Sequence, residues 1–259
     1  MCNLMENRII KFIRYNGGYF GIVGSISITI SILISYLINL SVNPSFNITT
    51  FAVSELGTGP KISSGVYGTG LLIASFCQIP LYISVINYLR KKECSVYLIK
   101  IVALSTLFST ISHIILSLVP FERVVLLLFL IHGIAAAIHY VAGSIAFIFY
   151  GFIELLHVKV SKILVITSFI TGILYGILWI GYLLDFMVGI PEEYINHTIQ
   201  WFALVGVILW ALFHSIFLLN TKKQNKDSFN LTYMFIDGIN LDDYLDEKIV
   251  WTKIWSFVD

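Results

Sequence analysis

Four histidines lie inside apolar stretches of this chain: His113, His132, His139 and His214. An ionisable side chain held in a bilayer is costly, so each is a functional hypothesis by default. Imidazole can relay protons, ligate a metal, or hydrogen-bond between helices. Thr106, Ser109, Thr110, His113 and Ser117 recur at helical spacing and share one face. His132, Ala136, His139, Gly143 and Ala146 form a second such face. Both stripes should turn away from lipid and toward protein. A short turn around Pro120 makes the two helices antiparallel neighbours. Counted from the outer ends, His113 sits roughly 8 Å deep and His132 roughly 12 Å deep. The two are therefore expected to meet in the outer half. His139 falls near the middle and His214 near the inner end.

Several chemistries stay open for that pocket. In the plainest, neutral imidazoles bond to Ser, Thr or backbone carbonyls between helices, and Gly and Ala beside them allow close packing. A haem between His113 and His132 is a second, although no other matched pair accompanies it. A zinc hydrolase would need three ligands and an open position. His113, His132 and a loop carboxylate, Glu55 or Glu122, would supply them. A proton or ligand pathway through His132 and His139 is a fourth. The candidate polar pocket thus comprises His113, His132, His139, Glu55, Ser54, Ser109, Thr110 and Ser117. No complete catalytic set accompanies it, so no catalytic residue, cofactor or metal is assigned, and a non-enzymatic reading leads.

The elements that must position these groups are six apolar stretches, Tyr19–Leu40, Val66–Tyr88, Tyr97–Leu118, Val124–Tyr150, Ile163–Val188 and Ile199–Leu219. Each reaches the roughly 20 residues needed to cross a hydrocarbon core of about 30 Å. The chain has 259 residues, 58% hydrophobic and only 12% charged, against about 25% charged in soluble domains. The fold class is therefore all-α: a polytopic transmembrane bundle of six helices. Within the assigned spans the formally charged residues are Lys100 and Asp185, each near an end where it can snorkel to water. The run after Arg8, Lys11 and Arg14 reads as a retained anchor, not a cleaved signal.

Basic residues set the expected orientation. Eleven of them (Arg8, Lys11, Arg14, Arg90, Lys91, Lys92, Lys159, Lys162, Lys222, Lys223 and Lys226) fall on one side, and two, Lys61 and Arg123, on the other. That asymmetry predicts both termini in the cytoplasm. The organisation is a cytoplasmic segment at 1–18, a transmembrane domain at 19–219 and a cytoplasmic tail at 220–259, with the cell membrane as the expected location. The sequons at Asn47 and Asn196 then lie outside. Pro80 should bend the second span. Membrane lipids and partner membrane subunits are the expected partners. Nucleic acid is excluded, because no basic stripe carries interleaved aromatics. Cys2, Cys77 and Cys94 form neither a disulfide framework nor a zinc pattern. In the tail, Asp237–Asp243 lacks the alternate acidic spacing of a calcium loop. The aromatic stretch Ile249–Val258 should pack on the membrane surface or on the bundle.

The outer loop and start of the second span read Phe51-Ala52-Val53-Ser54-Glu55-Leu56-Gly57-Thr58-Gly59-Pro60, then Gly65-Val66-Tyr67-Gly68-Thr69-Gly70. This resembles the Ser-Asp/Glu-Leu-Gly loop of the six-span family catalogued as domain of unknown function 998. It is also similar to the corresponding loop of the damage-regulated autophagy modulator family. Leu118-Val119-Pro120-Phe121-Glu122 looks like the family's Pro-Glu turn, with Phe121 inserted. His139-Tyr140-Val141-Ala142-Gly143-Ser144-Ile145-Ala146-Phe147 resembles its His-rich fourth span. The resemblance covers about Tyr19 to Leu219 and implies a six-helix fold. It names no substrate. From the residues alone, Gly57, Gly59 and Pro60 form a tight stiff loop. Ser54 and Glu55 are expected to cap the second helix or to fold over the outer mouth, where Glu55 would pair with His113 or His132.

Overall fold

The structure is a computed structural model that describes residues 2–92, 94–120, 125–156, 160–188 and 196–233. Six helices follow in order: α1 Cys2–Val42, α2 Lys61–Arg90, α3 Val96–Leu118, α4 Leu126–Leu155, α5 Lys162–Val188 and α6 Asn196–Tyr233. Each contains a segment long and apolar enough to cross a membrane. No strand occurs among the described residues. The chain divides into two compact units, Met1–Leu219 and Asn220–Asp259. The described part of the second, residues 220–233, is helical. The tail motifs at 237–243 and 249–258, Glu122, and the Asp185 side chain lie outside the described residues.

The helices outrun the hydropathy windows that announced them. α1 starts at Cys2, so the N-terminal segment is helical rather than a separate piece before Tyr19. α4 continues one turn past Tyr150 to Leu155 and brings Glu154 inside a span. That corrects the assignment of Lys100 and Asp185 as the only charged residues in spans. The physical reason is that a helix continues while its backbone bonds are met, whereas a hydropathy window stops at the first charge. α2 runs through Pro80 as one helix.

Isoleucines, leucines and phenylalanines such as Leu33, Leu107, Ile134, Ile166 and Phe202 stay exposed on the outer faces. In water such a surface would aggregate; in a bilayer it meets lipid. The interior is built from aromatics and small residues. Trp210, Tyr150 and Phe147 are the largest fully buried side chains, with Tyr82 and Trp210 5.5 Å apart by ring centroid. Close approach follows from small residues, as expected where lipid supplies no hydrophobic drive between helices. A Cβ at Gly21 of α1 would collide with Ser215 Oγ of α6. Gly172 of α5 lies against Ile148 of α4, so the two helices pack closely there.

The connection between α1 and α2 is folded into the bundle. Phe46, Ala52, Val53 and Leu56 are buried, and Phe46 stacks on Phe51 at 4.5 Å. Trp201 Nε1 of α6 donates to the Phe51 carbonyl at 2.9 Å. Behind it, Asn39 Nδ2 donates to Ser63 Oγ at 2.6 Å, and Ser35 Oγ donates to the Ser63 carbonyl at 3.0 Å. These bonds tie α1 to α2 just below the loop and make it a fixed lid rather than a free connection.

Candidate functional site

Under this loop lies a partly enclosed cavity of about 90 Å³ to which all six helices contribute. Along α6 its wall runs from Gln200 through Ala203, Leu204, Val207 and Ile208 to Ala211, about 16 Å of helix. Ile28 of α1 and Leu71 of α2 complete an apolar side. The polar side carries His113, His132 and His139 with Tyr67, Tyr140, Tyr175, Tyr182 and Gln200. No Lys, Arg, Asp or Glu is among the lining residues.

α3 and α4 set the histidine geometry through their register. His132 Nδ1 lies 2.8 Å from the Val119 carbonyl, just past the end of α3. That nitrogen must be the donor, because a carbonyl only accepts. α4 therefore overhangs α3 by about six residues, or about 9 Å. Equal depth from the two helix ends is thus not equal depth in the bundle. One consequence corrects the sequence expectation: the ring stacked on His113 is that of His139, at 4.8 Å between centroids and 16° between planes, not that of His132. Both His113 and His132 still reach the cavity wall.

His139 has both ring nitrogens met by described residues. Its Nδ1 lies 3.0 Å from the Ser109 carbonyl, so Nδ1–H donates. Nε2 is then the acceptor and takes the Tyr175 hydroxyl at 3.2 Å. Ser109 Oγ lies 3.0 Å from the same Nδ1 and donates in turn to the His139 carbonyl at 3.4 Å. Gly143, one turn further along α4, gives Tyr175 its place, since a Cβ there would come within 2.6 Å of the Tyr175 ring. Tyr182 accepts from Gln200 Nε2 at 2.9 Å and stacks on Tyr140 at 5.8 Å.

Two residues of the cavity wall each hold a buried polar atom with no partner among the described residues. The atoms are Ser25 Oγ on α1 and His113 Nδ1 on α3. Both residues are more than nine-tenths buried. An unmet buried polar atom carries its full desolvation penalty, about 1–3 kcal/mol.

The remaining expected site residues are placed as follows. Ser54 lines the cavity. Glu55 does not join the histidines; its Oε2 accepts from the Ala52 N–H at 2.7 Å and closes the short 3-10 turn Val53–Gly57. Neither residue caps α2, whose preceding residue is Pro60. Thr110 Oγ1 donates to the Thr106 carbonyl at 2.8 Å, and Ser117 Oγ to the Ile114 carbonyl at 2.6 Å, so both turn back on their own helix. With Glu55 spent in its turn, the three-ligand set of His113, His132 and Glu55 does not assemble. Among the described residues no group of three or more His, Cys, Asp or Glu is placed to hold a metal ion.

A second polar cluster, which sequence reasoning missed, lies at the other end of the bundle. Glu154 of α4 and His214 of α6 meet at 2.6 Å, each only 2% exposed. Ser168 Oγ of α5 donates to the other carboxylate oxygen at 2.7 Å and accepts from Trp210 Nε1 at 2.8 Å. His214 Nδ1–H donates to the Trp210 carbonyl at 2.8 Å, and the two rings stack at 4.0 Å. The chain of bonds starts and ends on Trp210 and joins three helices. Its sequence signal was present: Phe147, Tyr150 and Glu154 recur at helical spacing.

No family model, curated protein or solved structure matches this chain. The class that fold and site define is therefore a six-helix integral membrane protein with an uncharged polar cavity beneath a structured loop.

Proposed function

We propose that this protein binds a small amphipathic molecule, a membrane lipid, in the cavity beneath the loop, without transforming it. A single observation carries the reading: the cavity joins a polar wall, two of whose residues hold unmet polar atoms, to an apolar wall along α6. A binding site of this kind is mostly apolar with a few placed polar groups. An accessory role in a larger membrane complex fits the same cavity if the bound molecule belongs to a partner subunit.

Native mass spectrometry of the purified chain tests it. A retained mass of lipid size at one copy per chain is expected. The added mass should vanish in Ala136→Phe, which fills the cavity between His132 and His139, and fall in the milder Ala203→Leu. A chain that carries no stoichiometric lipid, or carries it equally in both variants, overturns the reading.

The proposal includes the cell membrane as location and both termini in the cytoplasm, on the strength of the basic residues. Cys94 between α2 and α3 tests the sidedness. Burial pushes its thiol up from the ordinary range, so labelling belongs at alkaline pH, where the reactive thiolate is populated. A membrane-impermeant maleimide should reach it only from the cytoplasmic face. Labelling from outside intact cells would reverse the topology.

A further inference from the structure

We propose that the bound molecule is an uncharged lipid with a hydroxylated head, of the diacylglycerol class, held by Ser25 and His113. The proposal rests on the cavity being a ligand site and names what enters it.

The lining excludes formal charge on the ligand. Phosphate and carboxylate heads are recognised by Arg and Lys, which offer charge-assisted bonds. Ammonium heads call for Asp or Glu; a quaternary one also suits an aromatic cage, but in a phospholipid it travels with a phosphate. None of these four residue types lines the cavity, and an unpaired charge moved out of water is heavily penalised. An uncharged head carries no such penalty.

The unmet atoms specify a hydroxyl. Ser25 Oγ–H can donate or accept, and His113 Nδ1 donates in one tautomer and accepts in the other. An ester or ketone oxygen only accepts, so it satisfies Nδ1 in just one tautomer. A hydroxyl satisfies both atoms in either. The two residues come from α1 and α3, so a head with adjacent oxygens answers both walls better than a single alcohol. Tyr67, Gln78 and Tyr140 line the same space.

Size and shape select a lipid over a free polyol. A cavity of about 90 Å³ holds several water-sized groups, at about 10–15 Å³ each on the same measure. That suits a glycerol-sized head and not two acyl chains. Ile28, Leu71, Leu204 and Ile208 add an apolar wall that a polyol would leave unused and the upper part of an acyl chain would cover.

The test uses the full chain in phosphatidylcholine nanodiscs, titrated with dioctanoylglycerol, dioctanoyl phosphatidylglycerol or free glycerol, with tryptophan fluorescence and melting temperature as readouts. Dioctanoylglycerol should bind saturably and raise the melting temperature. Ser25→Ala and His113→Leu should each weaken it about fivefold, the loss expected for one hydrogen bond. Ser25→Ala should leave the unliganded melting temperature unchanged or higher, because the atom removed has no partner. If that variant melts lower without ligand, Ser25 is structural and the assignment fails. Saturable binding of phosphatidylglycerol that Ala136→Phe abolishes would overturn the uncharged class while leaving the cavity as a lipid site. Free glycerol binding as tightly as dioctanoylglycerol would overturn the lipid half. If no probe binds saturably, both this proposal and the ligand-site reading fall, and water alone fills the space.

Discussion

His113 and His214 are both buried in the same bundle, yet their surroundings differ in kind. His214 has both ring nitrogens met, one by Glu154 and one by the Trp210 carbonyl. The space beside it is only about 10 Å³, at the lower limit for a single water. His113 has a ring nitrogen with no partner among the described residues and faces a cavity of about 90 Å³. Polar groups inside a membrane protein therefore do two separate jobs here. At one end they close on each other and fix three helices. At the other, Ser25 and His113 each keep a buried polar atom that no described residue meets. Burial alone does not distinguish the two; hydrogen-bond completeness does.

That contrast can be broken by substitution, and the largest effect belongs to the closed cluster. Glu154→Ala strands His214 and the Ser168 hydroxyl, and should cost about 3–5 kcal/mol of stability, as expected for halving a buried pair. Thermal unfolding in detergent reads it. A loss below about 1 kcal/mol, the usual value for interhelical bonds in membranes, would make the cluster incidental. Glu154→Gln comes next. Its amide N–H can donate to His214 Nε2 while its oxygen accepts from Ser168, so the loss should shrink to about 1–2 kcal/mol. If Gln proves as damaging as Ala, charge and not bond completion holds the helices.

On the cavity side the effects should be smaller. Tyr175→Phe removes the donor to His139 Nε2 and should cost about 0.5–1.5 kcal/mol; no change would show that this bond adds nothing to the unliganded bundle. The smallest effect is Ser25→Ala, within about 0.5 kcal/mol of zero. A clear destabilisation there would erase the distinction between the two regions, since an unmet atom would have proved to be a partnered one.

Much of the fold is legible in the sequence. All six spans, the short connection between α3 and α4, and the two polar stripes came from hydropathy and helical spacing. His113, His132 and His139 do share one cavity. What failed was depth. The His113–His132 pairing assumed that α3 and α4 begin level, and the overhang that gives His132 the Val119 carbonyl moved His139 into that place. Glu154 was missed for a related reason: the apolar window ended at Tyr150, one turn short, so His214 was left without its partner. For Glu55 the sequence left a structural role in the loop and a pairing with the histidines both open; its carboxylate closes its own turn. The tyrosines and Gln200 escaped notice because tyrosine in a span is ordinary until several converge.

The sequence by itself determined that this chain makes helices that cross a membrane, and how many. Each span answers to lipid individually, and its backbone bonds are satisfied within the segment, so no partner is needed to decide it. Only the tertiary structure decided which polar groups meet. A shift of one residue moves a side chain about 1.5 Å along the axis and about 100° around it. Whether an imidazole finds a carboxylate, a carbonyl or an open cavity depends on the relative rotation and height of neighbouring helices, which no single span encodes.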